Sequence, residues 1–257
     1  MGFIDSHCHI DFSEFDHIRE QLIEQCKQQG INAFIVPGVT LAQSKALIEL
    51  AKCYGCIRIS AGLHPYFLSE HREEHLAQLT EFALHHRNKI SAIGECGIDR
   101  SIDDIPLQIR IFEHQIGLAN QLNLPLIVHH RQSHDLIAHS FKRCRPKYGG
   151  VIHAFTGSAQ QAQSYIKQGF KLGVGGSITY ERAQKTRHVI SQLDAKHLLL
   201  ETDSPSMPLC GFQGQINTPL QLPRVFEQLC TLKQLTDADK AQLKKQLYES
   251  CSALFCI

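Results

Sequence analysis

The chain has 257 residues, 43% hydrophobic and 20% charged, enough for a sizeable core in one large domain or two small ones. A formal net charge of +1 excludes global attraction to polyanions, so affinity for nucleic acid needs a local basic patch or bound cations. The first ten residues, MGFIDSHCHI, carry charge and no apolar run, no stretch of about 18 apolar residues occurs, and ten scattered cysteines fit reduced thiols. The expectation is therefore a cytoplasmic protein with no signal peptide and no membrane span.

Taken in chain order, short apolar runs alternate with amphipathic stretches. The first run, 3–8 (FIDSHC), precedes a helical stretch over 16–29, where Ile18, Leu22, Ile23 and Cys26 recur at 3–4 spacing and Gly30 closes the pattern. Runs at 32–39, 57–63 and 90–95 follow, each bounded by Gly, Pro or Asn. Between them, Cys53-x-x-Cys56 is the one cysteine pair with metal-like spacing. It has no second CxxC, so it reads as helix-end packing. A helix over 104–122 places Ile105, Ile109, Phe112, Ile116 and Ala119 on one face, and the run 125–129 comes next. Runs at 151–155 and 170–175 bracket a helix over 158–168, capped by Ser158 and stopped by Gly169. The eighth run, 197–202, leads into a long loop, 204–219, and two helices over roughly 219–233 and 237–253.

Eight strand-like runs alternating with helices predict an α/β protein with a parallel sheet. The count of eight, unbroken, favours a closed (β/α)8 TIM barrel occupying 1–257 as a single domain. No G-x-G-x-x-G follows the first run, which argues against a dinucleotide-binding fold.

The chemistry-bearing residues sit at strand ends. His7 and His9, at i and i+2, point to one face about 6.5–7 Å apart along a strand, so they can converge on one cation; Cys8 points away into packing. Glu95, His129, His153 and Asp203 each stand at or near the C-terminal end of a further run, and in a (β/α)8 barrel those ends share one face. Buried imidazoles and carboxylates without partners would each cost several kcal/mol, a cost that a divalent cation removes. Four histidines and two carboxylates exceed one tetrahedral ion and suit two, with a carboxylate between them. Such ligands fit zinc, manganese, nickel or iron better than calcium, with magnesium left as a further candidate.

IDSHCHID, AIGECGID, LIVHHR, VIHAFTG and LLLETDSP, in this order from His7 to Asp203, resemble the motifs of the TatD family of metal-dependent hydrolases within the amidohydrolase-like barrels. GVGGSITY and the later GFQGQ-x-N-x-P loop are similar to the YjjV-like subgroup. The resemblance implies a binuclear site, with His7, His9 and Asp203 on one ion, His129 and His153 on the other, and Glu95 bridging. It also implies phosphoester hydrolysis with DNA as a substrate. The chain departs from the common family pattern at His130, where Ser is frequent, at Tyr66 after GLHP, where a second His is frequent, and in GIDR for GLDY at 97–100. These positions lie on the rim and bear on substrate identity.

The expected mechanism is attack by a water activated at the metal pair. Asp203 is the base, Glu95 the bridging carboxylate, Arg131 a phosphate grip, and His64 a phosphate ligand, a proton donor or merely a backbone cap. Lys142, Arg143, Arg145 and Lys147 read as a solvated helix end, whereas Arg182, Lys185 and Arg187 follow the seventh run on the active face. Gly173, Gly175 and Gly176 either bring backbone close to the site or pack tightly, and Glu201 reads as a support to a ligand histidine. The expected partner is DNA or a small phosphoester, the expected state a monomer with no obligate protein partner. Amide, lactone or acyl-ester hydrolysis by the same metals, and a non-catalytic metal-stabilised binding barrel, remain alternatives.

Overall fold

The computed structural model describes all residues 1–257. The eight apolar runs are strands: β1 (Phe3–Asp5), β2 (Ile31–Val36), β3 (Ile57–Ala61), β4 (Ile90–Asp99), β5 (Leu126–Arg131), β6 (Gly150–Ile152), β7 (Phe170–Val174) and β8 (Leu198–Leu200). They are almost wholly buried, as a parallel sheet covered by helices requires. Between them lie α1 (Arg19–Gln28), α2 (Leu41–Cys53), α3 (Glu74–His85), α4 (Ile105–Leu122), α5 (His134–Arg143), α6 (Ala159–Lys167) and α7 (Gln184–Gln192). The chain ends with α8 (Leu222–Leu232) and α9 (Asp237–Phe255). Strand order follows chain order from β1 to β8 and the pairings are parallel, the topology of a (β/α)8 barrel, as expected.

The helix boundaries follow local chemistry. Asp104 accepts the N–H of Leu107 at the start of α4, Pro106 occupies the first turn, and Asn123 ends the helix in the left-handed region at φ 54°. Its buried face differs from the expected one. Ile105 and Ile109 are only half-buried, while Ile111 and Leu118 are buried, together with Gln108 and Gln115. At the start of α9, Thr236 and Asp239 cap each other's backbone N–H groups reciprocally.

Two strands run further than their apolar patterns. β4 continues past Glu95 to Asp99, and β5 past His129 to Arg131. Gly97 makes this extension possible. It sits at φ 146°, and a methyl group there would overlap the carbonyl oxygen of His129 on β5.

The chain divides into two compact units, Met1–Val36 with Ala154–Ile166 and Lys171–Ile257, and Pro37–His153 with Lys167–Phe170. In the first, the end of β1 is tied to the end of β8: Ser6 N–H donates to Leu200 O (2.9 Å) and Asp203 N–H to His7 O (2.9 Å). In the second, β3 pairs with β4, β4 with β5 and β5 with β6. An aromatic row packs in this unit. Phe112 lies 5.8 Å from Phe141, centroid to centroid, and Phe141 stacks on Phe170 at 4.9 Å. Phe112 is fully buried, so Phe112→Ala leaves a cavity as well as losing transfer energy. Urea unfolding should show a loss of about 3–5 kcal/mol for this variant, and a loss below about 1 kcal/mol would contradict the packing described.

Candidate metal centre

In the first unit, β1 and β8 deliver three donor groups to one point. His7 and His9 follow β1, and their Nε2 atoms lie 3.3 Å apart. Asp203 follows β8 in a left-handed conformation (φ 57°), with its Oδ1 3.7 Å from His7 Nε2 and 3.8 Å from His9 Nε2. A point about 2.1 Å from all three atoms exists inside this triangle, within the ~2.0–2.2 Å of zinc–nitrogen and zinc–oxygen bonds. The donor set and its spacing therefore fit a divalent cation. Phe12 stacks on the His9 ring (centroids 4.5 Å), which fixes its plane.

Behind these groups Asp5 joins the two strands. Its Oδ1 accepts the N–H groups of Thr202 (3.0 Å) and His7 (3.3 Å), and its Oδ2 accepts the Thr202 hydroxyl (2.6 Å). Burial pushes the Asp5 carboxyl up to about 8, against the pull of these hydrogen bonds. Cys8 is fully buried and its thiol is raised well above the ordinary range by burial, so it packs as expected and offers no thiolate. Asn217 ties the loop after β8 together, donating from its side-chain amide to the carbonyls of Thr202 and Ser206 (both 2.8 Å).

In the second unit, three imidazoles converge on one carboxylate oxygen. Glu95 Oε1 lies 2.9 Å from His64 Nε2, 3.3 Å from His129 Nδ1 and 3.8 Å from His153 Nε2. His64 Nδ1 accepts the N–H of Tyr66 (2.9 Å), so the His64 proton sits on Nε2 and is donated to Glu95. His64 thus caps backbone and anchors Glu95 at once. His129 Nε2 faces Asp99 Oδ2 (3.1 Å). Donation to Asp99 holds the proton on Nε2 and turns the Nδ1 lone pair towards Glu95. A lone pair facing a carboxylate oxygen needs a proton or a cation between them. Burial pushes the His129 imidazole down, but its bonds to Asp99 and Glu95 outweigh that and raise it above its ordinary value. Asp99, conversely, would be raised by burial, yet bonds from His129 and Ser101 hold it well below the usual carboxylate range. Glu95 and His129 Nδ1 can offer ligand atoms to a cation, whereas His64, with its proton on Nε2 and its Nδ1 accepting from Tyr66, supports Glu95 instead.

The pattern of apolar runs did not reveal what holds this cluster. Asp99, four residues past Glu95, lies beyond the run that ends at Glu95. Gln108 and Gln115, on the buried face of α4, bind backbone at the ends of β4 and β3. Gln108 Oε1 accepts the Asp99 N–H (2.8 Å) and its amide donates to Asp99 O (3.1 Å). Gln115 accepts the Leu63 N–H (2.9 Å) and donates to Leu63 O (3.1 Å), beside His64. Their i, i+7 spacing puts them on one helix face, and packing turns that face inward.

Other expected residues are placed as follows. Arg131 is the last residue of β5 and is exposed. Glu201 Oε1 accepts the backbone N–H of Ala154 (2.6 Å), and Gly173 leaves the room that its carboxylate fills. Lys142 and Arg143 lie in the last turn of α5, a helix end as expected. Arg182 lies over the Tyr180 ring (4.8 Å), and Arg187 donates to Ile178 O (2.9 Å), so both have structural partners. Cys53 is the exposed last residue of α2, and all ten cysteines are free.

Comparisons with known proteins agree with one another. A family model described as "TatD related DNase" matches residues 4–255. The chain is 42% identical over 233 residues to the uncharacterized metal-dependent hydrolase YjjV of Escherichia coli K12, covering 90% of each chain. A crystal structure of YjjV, described as a TatD homolog, matches with a TM-score of 0.94 at 40% identity, over 99% of this chain and 98% of that one. The 3'-5' ssDNA/RNA exonuclease TatD of Erwinia tasmaniensis is 30% identical, covering 86% of this chain and 88% of its own. With the family model matched over residues 4–255 and a relative at 42% identity over 90% of the chain, the chain belongs to the TatD-related DNase family of metal-dependent hydrolases.

Proposed function

We propose that the chain, acting as one catalytic domain over 1–257, is a divalent-metal-dependent phosphodiesterase that hydrolyses DNA. The observation that carries this reading is the convergence of His7, His9 and Asp203 at cation-binding distances. The three imidazoles gathered on Glu95 add to it. In this reading His7, His9 and Asp203 hold one cation, His129 and His153 hold a second, and Glu95 bridges them. The donors suit zinc, manganese, magnesium, nickel or iron. The exonuclease name of the Erwinia relative supports nucleic acid as substrate. No helix is long and apolar enough to cross a membrane, and ten free cysteines support a reducing compartment, the cytoplasm. A monomer satisfies this reading.

When bound, such a cation pair supplies positive charge that brings the pKa of water from 15.7 towards about 7 and neutralises charge on phosphoryl oxygens. The protein's own groups do the rest. Asp203 accepts the proton of the attacking water. Its carboxylate is only partly buried (14% exposed), so the proton can leave to solvent. His64 keeps its Nε2 proton on Glu95 and so holds that carboxylate in one orientation. Asp99 does the same for His129, and Gln108 for Asp99. Arg131, exposed at the end of β5, offers its fork of N–H donors to a non-bridging oxygen.

Two outcomes are expected. Chelation should abolish hydrolysis of bis(p-nitrophenyl) phosphate and single-stranded DNA, and added divalent metal should restore it. Asp203→Asn should lower kcat about 10²–10⁴-fold with an unchanged circular-dichroism spectrum. Turnover that survives exhaustive chelation, or hydrolysis confined to an acyl-ester panel, would sink the phosphodiesterase reading. Separately, Asp99→Asn should weaken metal affinity about 10–100-fold, read by competition with a chromogenic chelator. Affinity equal to the parent protein would remove Asp99 from the metal's support.

A further inference from the structure

The loop after β3 carries an aromatic ring that the chemistry above does not use. Tyr66 is 60% exposed. The other exposed large apolar side chains of the second unit lie elsewhere, Leu84 near the end of α3 and Tyr148 just before β6. Of these three, Tyr66 stands in the short 3-10 turn Pro65–Glu70 that leaves the C-terminal end of β3, the active end of a (β/α)8 barrel.

Its backbone is held tightly while its ring is free. The Tyr66 N–H donates to His64 Nδ1 (2.9 Å), and the Phe67 N–H donates to His64 O (3.1 Å). His71 Nε2 also bonds His64 O (2.9 Å), and burial lowers the His71 imidazole, which keeps it neutral. The Phe67 ring stands edge-on to both Tyr66 (5.4 Å) and His64 (6.0 Å), leaving the Tyr66 ring in solvent. One imidazole thus separates the Tyr66 backbone from the Glu95 carboxylate, with a 2.9 Å hydrogen bond on each ring nitrogen.

We infer that Tyr66 is a stacking platform for a base of single-stranded nucleic acid whose phosphodiester lies at the metal centre, an inference that rests on the nuclease reading of that centre. An aromatic face accepts any base, so the platform selects nucleotide esters over aliphatic phosphoesters without reading sequence. A preformed ring also loses little conformational freedom on binding.

The sequence contains no tryptophan, so Tyr66→Trp installs a single reporter. In the metal-loaded protein, a thymidine hexamer with phosphorothioate linkages, which resist cleavage, should quench this fluorescence. A hexamer of abasic sugar phosphates should not. Anisotropy with labelled hexamers should show Tyr66→Ala binding the thymidine strand about 5- to 150-fold more weakly. Its preference for the thymidine over the abasic strand should fall towards one, and Tyr66→Phe should restore that preference. Equal quenching by both strands, or equal loss of affinity for both in Tyr66→Ala, overturns the platform. Base-dependent quenching in a protein that cleaves no phosphodiester upholds the platform while the hydrolytic reading falls.

Discussion

Burial of the Glu95 carboxylate organises the second unit. The side chain is almost inaccessible to water, and one of its oxygens faces three imidazoles. An ionised carboxylate removed from solvent is costly unless hydrogen bonds or positive charge compensate it. The His64 proton provides one such bond. The remaining imidazoles present lone pairs as readily as protons, so the arrangement is comfortable with a cation among them. Much of the surrounding structure keeps these groups from moving apart. Gly97 lets β4 run close against β5, Asp99 fixes the tautomer of His129, and Gln108 and Gln115 pin the strand ends that carry Asp99 and His64.

The first unit solves the same problem differently. Here the donors lie on segments just past their strands, so irregular backbone must be fixed by side chains. Asp5 receives two backbone N–H groups and a hydroxyl, Asp203 N–H donates to His7 O, and Asn217 gathers carbonyls of the loop after β8. These contacts are short, buried and polar, and a partly satisfied network of this kind would cost more than an apolar replacement. Donors held this way suit catalysis, because pre-placed groups need little rearrangement when charge develops.

The candidate metal donors and the residues proposed to meet substrate have different freedom. The donor groups are buried or nearly so, and neighbouring groups hold them in place. Tyr66 and Arg131 are exposed, on the loop after β3 and at the tip of β5. Exposed ends of this kind tolerate replacement without disturbing the core, which is how one barrel supports many substrates.

The amino-acid sequence by itself determined the eight strands, the alternation with helices and the strand-end histidines and carboxylates. Apolar runs and helix stops at Gly30 and Gly169 are local signals that survive without tertiary context. It also identified His7, His9, Glu95, His129, His153 and Asp203 as one candidate set, because polar groups in otherwise apolar strands demand compensation. Asp99, Gln108, Gln115 and Asn217 were not legible in this way. Whether a polar side chain on an amphipathic helix turns to solvent or to a strand end depends on helix rotation, which only packing sets; α4 turned Gln108 and Gln115 inward and left Ile105 and Ile109 half-exposed. The strand ends were likewise a tertiary matter, since hydrogen-bond partners on β5 carried β4 four residues past its apolar pattern and so brought Asp99 to His129. Local periodicity specified which groups must be buried, and only the packed structure decided which neighbours would satisfy them.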